Sequence, residues 1–296
     1  EQDRGVSALR GDGKVKIGFL GYGEAARAFH DGLARAALAH DILLDRDGGA
    51  MREAMKLHGA TPVEIAGLGE ADWVFSAVTA DQSYRAVEPL LPHLRQGQVL
   101  IDINSVSPAR KRETAAAVAA AGARYLDMAV MAPVHPRKHA TPVLLAGEPA
   151  EDMLPQLLAL GFSATIAGPE PGAATAIKMV RSLFVKGLEA ITVETLLAAE
   201  ASGCFEEIYA SLSTSFPGLD WPRFAAYQFE RTTRHGQRRA AEMRESGTTL
   251  DALGLHGALA REIAAVQEAM GAAPVTGASL AETVHQVLQR RLAQRD

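Results

Sequence analysis

A short apolar run over residues 15–20, VKIGFL, leads straight into Gly21-Tyr22-Gly23-Glu24-Ala25-Ala26, and residues 24–38 then carry the residue types of a helix. Few folds accept this succession. A strand that is apolar at nearly every position is covered on both faces. Gly21 permits a tight turn, Gly23 leaves the backbone bare for a close approach, and Ala26 lets the helix lie against the strand. The start of the helix presents N–H groups without intrahelical partners and the positive end of the helix dipole, which together make an anion site.

The same alternation continues along the first half. DILLD (41–45), DWVFSAV (72–78), QVLIDI (98–103), YLDMAV (125–130), TPVLLA (141–146) and SATIA (163–167) read as further strands, separated by Ala- or Leu-rich helical stretches. Such spacing predicts βαβ crossovers and a mostly parallel sheet. After Pro171 the strands stop. Residues 172–201 run without proline to Ser202-Gly203, a helix stop. That helix is about 45 Å long at 1.5 Å per residue, too long for one small globule. More helices follow, broken at FPGLDWP (216–222), Gly254 and APVTG (273–277). The reading is an α/β Rossmann-type domain with a mostly parallel sheet, then an all-α C-terminal domain joined by a long interdomain helix. Its parts are a flexible tail over 1–13, a dinucleotide-binding domain over 14–169, and a helical substrate and dimerisation domain over 170–296.

In this setting the Gly21–Ala26 turn is the phosphate-binding fingerprint of a dinucleotide site, with Gly21, Tyr22, Gly23, Glu24 and Ala25 around the phosphates. Asp45 stands 22 positions after Gly23, close to the spacing of the ribose-binding acid. A carboxylate there accepts from ribose hydroxyls and repels a 2′-phosphate, which favours NAD. Arg46 beside it suits the 2′-phosphate of NADP, and a solvated Asp45-Arg46-Asp47 turn is the plain alternative. Ligands in open α/β sheets lie beyond the carboxyl ends of the strands. Ala77, Val78 and Thr79, and then Asn104 and Ser105, follow such ends and join the candidate cofactor contacts. Asp81, Ser107 and Pro108 nearby also suit ordinary helix starts.

Net charge is −5, from 30 basic and 35 acidic residues, which speaks against nucleic-acid binding through bulk electrostatics. One cysteine, Cys204, excludes an internal disulfide framework. No run approaches the roughly 20 apolar residues of a membrane helix. A cytoplasmic protein binding a small molecule is the expectation, with no nucleic acid and no membrane as partners. His135 and His139 have i, i+4 spacing, but Pro136 between them breaks the helix a metal pair needs, and no metal is expected.

On the long helix Lys178, Arg181 and Ser182 share a face at i, i+3, i+4, among Ile177, Met179, Val180, Leu183 and Phe184. From spacing alone, Lys178 is a lysine that lays its stem on apolar surface and its head in water. The alternative is a partly desolvated general acid/base.

The chain resembles the β-hydroxyacid dehydrogenase superfamily, which includes 6-phosphogluconate and 3-hydroxyisobutyrate dehydrogenases. The likeness rests on GFLGYGEAARAF (18–29), IDINSVSP (101–108), YLDMAV (125–130) and AIKMVRS (176–182), and it spans nearly the whole chain. FPGLDW (216–221) and HGQRRAAEM (235–243) resemble a phosphogluconate-dehydrogenase-like subgroup with its own helical domain. The resemblance implies NAD(P)-dependent hydride transfer to or from a small hydroxy compound. It makes Lys178 the residue that exchanges a proton with the substrate hydroxyl, and puts Asn104 and Ser105 near nicotinamide and substrate. Met131-Ala132-Pro133 replaces the family's carboxylate-gripping Ser-Gly-Gly, and Ser182 replaces an Asn. A substrate anion would then be held by Arg181 or by His235, Arg238 and Arg239, a cluster that also reads as a solvated or dimer-pairing face. Asn104, Met131, Arg181, Ser182 and His235 are the candidate substrate contacts. An imine reductase-like enzyme and a non-catalytic dinucleotide-binding dimer are the alternatives. A homodimer through the helical domain is expected in each case.

Overall fold

The apolar runs of the first half become one eight-stranded sheet. A computed structural model describes residues 15–46, 48–273, 275, 277 and 279–293; the expected tail over 1–13 lies outside the described residues. In chain order the elements are β1 (Ile17–Leu20), α1 (Glu24–Leu33), β2 (Ala37–His40), α2 (Gly49–Leu57), β3 (Ala60–Pro62), β4 (Trp73–Ser76) and α3 (Ser83–Val87). There follow β5 (Val99–Asp102), α4 (Pro108–Ala120), β6 (Arg124–Val130), β7 (Val143–Ala146), α5 (Ala150–Ala159) and β8 (Ala164–Gly168). Five helices close the chain: α6 (Ala173–Ala201), α7 (Phe205–Ser215), α8 (Trp221–Ala252), α9 (Gly257–Gly271) and α10 (Leu280–Ala293).

The strand order is β3-β2-β1-β4-β5-β6-β7-β8, parallel throughout except where β6 meets β7. Successive side chains of a strand point to opposite faces, and both faces here are apolar. Phe19, Phe75, Ile101 and Met128 enter one core with Phe29 of α1 and Leu157 of α5. Leu20, Val74, Leu100 and Tyr125 enter the other with Leu90 and Val118.

Two expected elements are corrected. The helix over 24–38 stops at Leu33, where Ala34 adopts a left-handed φ of 49° and donates its N–H to His30 O. The expected strand over 41–45 is a 3-10 turn, Ile42–Asp45, and the second strand is Ala37–His40 instead. Ala and Leu favour helix, but this segment completes the ladder between β1 and β3, where sheet pairing outweighs intrinsic propensity. The short edge strand β3 was not expected, and an edge tolerates its Pro62.

The chain divides into two compact units, one of residues 1–104 and 108–175, the other of 105–107 and 176–296. In the second unit α8 and α9 pack antiparallel at backbone contact. A Cβ on Gly236 would lie 2.1 Å from Gln267 O, and one on Gly257 would lie 2.5 Å from Gly247 O. α6 and α8 are also antiparallel, since Met179, Lys186 and Glu189 meet Ser246, Glu242 and Arg239 in turn. Among the described residues no helix is long and apolar enough to cross a membrane.

The first unit contains a buried ionic cluster. Lys111 Nζ on α4 lies 3.0 Å from Asp102 Oδ1 and 3.3 Å from Asp127 Oδ1, and all three side chains are at most 1% exposed. Lys111 Nζ also donates to Asp102 O, Tyr125 Oη donates to Asp102 Oδ2, and Asp127 Oδ2 accepts from Gly172 N and Thr175 N at the start of α6. Removing the one cation from two buried carboxylates costs about 3–5 kcal/mol. Lys111→Met is therefore expected to lower the denaturant midpoint of the first unit's unfolding by a corresponding amount. A midpoint unchanged from that of the parent protein would contradict this account of the cluster.

Candidate functional site

The turn after β1 is shaped by its glycines. Gly21 has φ +84°, donates its N–H to His40 O at 2.8 Å, and faces Ala77 so closely that a Cβ would lie 2.6 Å from Ala77 O. A Cβ on Gly23 would meet nothing within 4 Å, and Gly23 and Glu24 are exposed. No side chain caps the N-terminus of α1, so the N–H groups of its first turn, Glu24 and Ala25 included, face outward with the positive dipole end. This cradle fits the pyrophosphate of a dinucleotide.

The Tyr22 side chain faces the core. It is fully buried, and its hydroxyl lies 2.6 Å from His30 Nδ1. Burial first, and then the nearby Asp31 carboxylate, push its phenol up to about 12, so it stays protonated. Its N–H donates to Asp41 Oδ2 at 2.8 Å. Tyr22 thus anchors the turn from within. Asp41, directly after β2, is the acid at the strand end, and Leu43 N donates to its Oδ1. Asp45, the acid expected there, is about half exposed in the 3-10 turn, 4.0 Å from His40 Nε2, with Arg46 exposed beside it. The expected strand over 41–45 puts Asp45 at the strand end; with the strand at Ala37–His40 that place falls to Asp41. Asp41 stands 20 positions after Gly21, a signal present in the sequence.

The loops after β4 and β5 are clamped together by one side chain. Asn104 Oδ1 accepts from Val78 N at 2.7 Å, Asn104 Nδ2 donates to Ser76 Oγ at 2.9 Å, and Asn104 N donates to Asp102 Oδ1. Ala77 N donates to Leu20 O, and Thr79 is exposed. Asn104 therefore shapes the loop through its buried amide. At the end of β6, Met131 N donates to Pro142 O, and its side chain packs on a small cluster of Ala129, Ala146 and Ala174. That amide is thus engaged within the chain.

In the second unit, Lys178 Nζ donates to Ser105 Oγ at 2.5 Å. Ser105 is the residue after Asn104, and Ser107 N is held by Glu245 Oε2 of α8 at 2.7 Å. Ser182 lies one turn beyond Lys178 on the buried side of α6. Arg181 is exposed and lies toward Ile177, Val180 and Phe184. The basic cluster on α8 separates: Arg239 is buried in a two-point pair with Glu189, which also accepts from Gln267, whereas Arg238 is exposed. His235 is half-buried, and burial together with Arg231, Arg238 and Arg234 holds its imidazole below its usual range. Lys186, which is buried, and Glu242, which is partly so, neither singled out from the sequence, form an ion pair at 2.8 Å on the Lys178 side of α6. Among the described residues, no group of three or more His, Cys, Asp or Glu is placed to hold a metal ion. The chemistry on offer is proton exchange at Lys178 Nζ, next to a serine hydroxyl.

Residues 16–165 match the NAD binding domain of 6-phosphogluconate dehydrogenase, and residues 199–270 match a domain of unknown function (DUF1932). A conserved hypothetical protein from Sinorhizobium meliloti is 35% identical with a TM-score of 0.74, the match covering 93% of this chain and 96% of that one. The conserved protein MTH1747, itself structurally similar to 3-hydroxyacid dehydrogenases, is 26% identical with a TM-score of 0.68, over 86% of this chain and 98% of its own. The Mycobacterium tuberculosis 3-hydroxyisobutyrate dehydrogenase with L-serine shares the fold, at 18% identity and a TM-score of 0.70, over 92% and 99% of the two chains. With the glycine cradle ahead of it and the lysine-bearing helix behind, the chain belongs to the family of the NAD binding domain of 6-phosphogluconate dehydrogenase, within the β-hydroxyacid dehydrogenase superfamily.

Proposed function

We propose that this protein is an NAD(P)-dependent oxidoreductase acting on a small hydroxy compound or its carbonyl counterpart, with Lys178 as general acid/base. The observation that carries this reading is the Lys178 Nζ–Ser105 Oγ hydrogen bond of 2.5 Å, on the helix where the superfamily keeps its proton-exchanging lysine. A bound nicotinamide supplies hydride transfer. Gly21, Gly23 and the first turn of α1 hold the dinucleotide phosphates. The Asn104 clamp sets the loop around Val78. Ser105 Oγ orients the Lys178 side chain; as the neutral amine Lys178 takes the hydroxyl proton in oxidation, and as the ammonium it returns that proton in reduction.

Lys178→Ala is expected to lower turnover by about 10²–10⁴-fold, the usual range for a general acid/base, with dinucleotide affinity nearly unchanged by fluorescence titration. Full retention of turnover would sink the assignment. The substrate panel pairs hydroxyacids and their carbonyl counterparts with cyclic imines. Reduction of the imines alone would favour an imine reductase, a class that usually lacks the lysine. Dinucleotide binding without turnover of any member would favour a non-catalytic dimer.

The cofactor preference we propose is NAD, through Asp41. A carboxylate at the end of β2 repels a 2′-phosphate, and it stands closer to the fingerprint than Arg46 does. Asp41→Asn should lower the ratio of NADPH to NADH dissociation constants by about tenfold, an electrostatic effect of roughly 1.4 kcal/mol. The ratio cancels any loss of affinity from the altered turn. An unchanged ratio would remove Asp41 from the choice.

The proposed partner is a second copy of the chain. Ile177, Val180, Phe184, Leu188 and Ile191 lie on one face of α6 and are between 39% and 70% exposed, a stripe suited to burial against another protein surface. Sedimentation at micromolar concentration should give a dimer, and Phe184→Glu should weaken it. A stable monomer of the parent protein would count against this pairing.

A further inference from the structure

The side of α6 that faces α8 is polar along much of its length. Lys178, Ser182, Lys186 and Glu189 follow one another at i, i+4, i+8 and i+11, and the last three are buried at 7%, 4% and 2% exposure. Burial of so many polar groups is costly unless each is matched. Glu189 pairs with Arg239, and Lys186 pairs with Glu242.

The antiparallel register shows what else Glu242 faces. Ser246 Oγ meets Met179 O, one turn along α8 from Glu242, and Arg239 meets Glu189 on the other side. Glu242, which meets Lys186, therefore lies between the level of Met179 and that of Glu189, on the stretch of α6 that carries both lysines. We propose that Glu242 is a positioning residue for Lys178: its carboxylate, set between two lysines, is shared between them and sets how firmly Lys178 holds its proton. This rests on the reading of Lys178 as the general acid/base.

The electrostatic surroundings of Glu242 follow from that placement. Burial alone would raise its carboxyl, but Lys186, Lys178 and Arg238 overcome burial and bring it down to about 2. It is thus an anion at every working pH. The charged groups around the pair are Lys178 and Lys186 on α6 and Arg238 on α8, while Glu245 of α8 is engaged by Ser107 N. An anion near an ammonium favours its protonated form, and a second ammonium disfavours it. Glu242 and Lys186 consequently act on Lys178 with opposite sign.

That opposition is the test. The full-length protein is labelled with ¹³Cε-lysine, and the Lys178 signal is assigned by its loss in Lys178→Arg. Its titration is then followed by NMR without any substrate. In Glu242→Gln the midpoint should fall by about one pH unit, because the carboxylate is gone and Lys186 remains. In Lys186→Met it should rise by a similar amount, because Glu242 then faces Lys178 undivided. Glu242→Asp, which keeps the charge, should restore the parent midpoint to within a few tenths. Midpoints that do not move, or that move together in one direction, would overturn the proposal. Should Glu242→Gln fail to fold, the double variant Lys186→Met/Glu242→Gln, in which neither partner of the pair is left buried alone, decides by comparison with Lys186→Met: a lower midpoint in the double variant supports the proposal, and an equal or higher one overturns it. Failure of the general acid/base reading would appear separately, as turnover surviving in Lys178→Ala.

Discussion

A single ammonium group buried among strand ends underlies the arrangement of the first unit. Lys111 Nζ is shared between Asp102 at the end of β5 and Asp127 on β6. A buried ammonium without carboxylates, or carboxylates without the ammonium, is expensive enough that the three positions are mutually obligatory. The cluster also sets direction. Asp102 orients the Tyr125 hydroxyl and takes the N–H of Asn104, so the loop that clamps Val78 starts from a charged anchor. Asp127 takes two N–H groups at the start of α6, where the chain enters the lysine-bearing helix. Burial and the neighbouring aspartates push the Tyr125 phenol well above its ordinary value, so that phenol remains a donor.

α6 is the second organising element, because its sides have different fates. One side carries Ala190, Val193 and Leu196 into the helical cores. A polar stripe pairs with α8 through matched charges. A third side is apolar and exposed. Lys178 lies where the polar stripe borders the exposed side, a boundary at which a lysine combines an apolar stem with a reactive head. The hydroxyl partner is supplied by Ser105, a neighbour of the loop clamp.

Much of this was legible from residue order. Strands covered on both faces appear as continuous apolar runs, so β1, β4, β5, β6, β7 and β8 could be placed within a few residues. The breaks at 216–222 and at Gly254 carry Pro and Gly and fall between helices as expected. β2 was not legible. Its sequence, ALAH, prefers helix, and it forms a strand through partners on β1 and β3 that no local pattern records. That one slip put Asp45, rather than Asp41, at the end of the strand. The burial of the Tyr22 side chain was not legible for a related reason: position within a glycine turn does not say whether a side chain points outward or to the core. The charge pairs were invisible as well, since Lys111 with Asp102 and Asp127, and Lys186 with Glu242, join residues that only packing brings together.

The sequence by itself determined the architecture and the place of the phosphate cradle, because strand and helix periods and a glycine turn are local constraints that each stretch of chain must satisfy alone. It also singled out Lys178, through the family pattern of the helix around it. Tertiary structure decided which acid follows β2, which amides are already engaged, which arginine is consumed by a buried pair, and which carboxylate pairs with Lys186. These are properties of burial and of contacts between residues far apart in the chain, and their energies exist only once water has been excluded from around them.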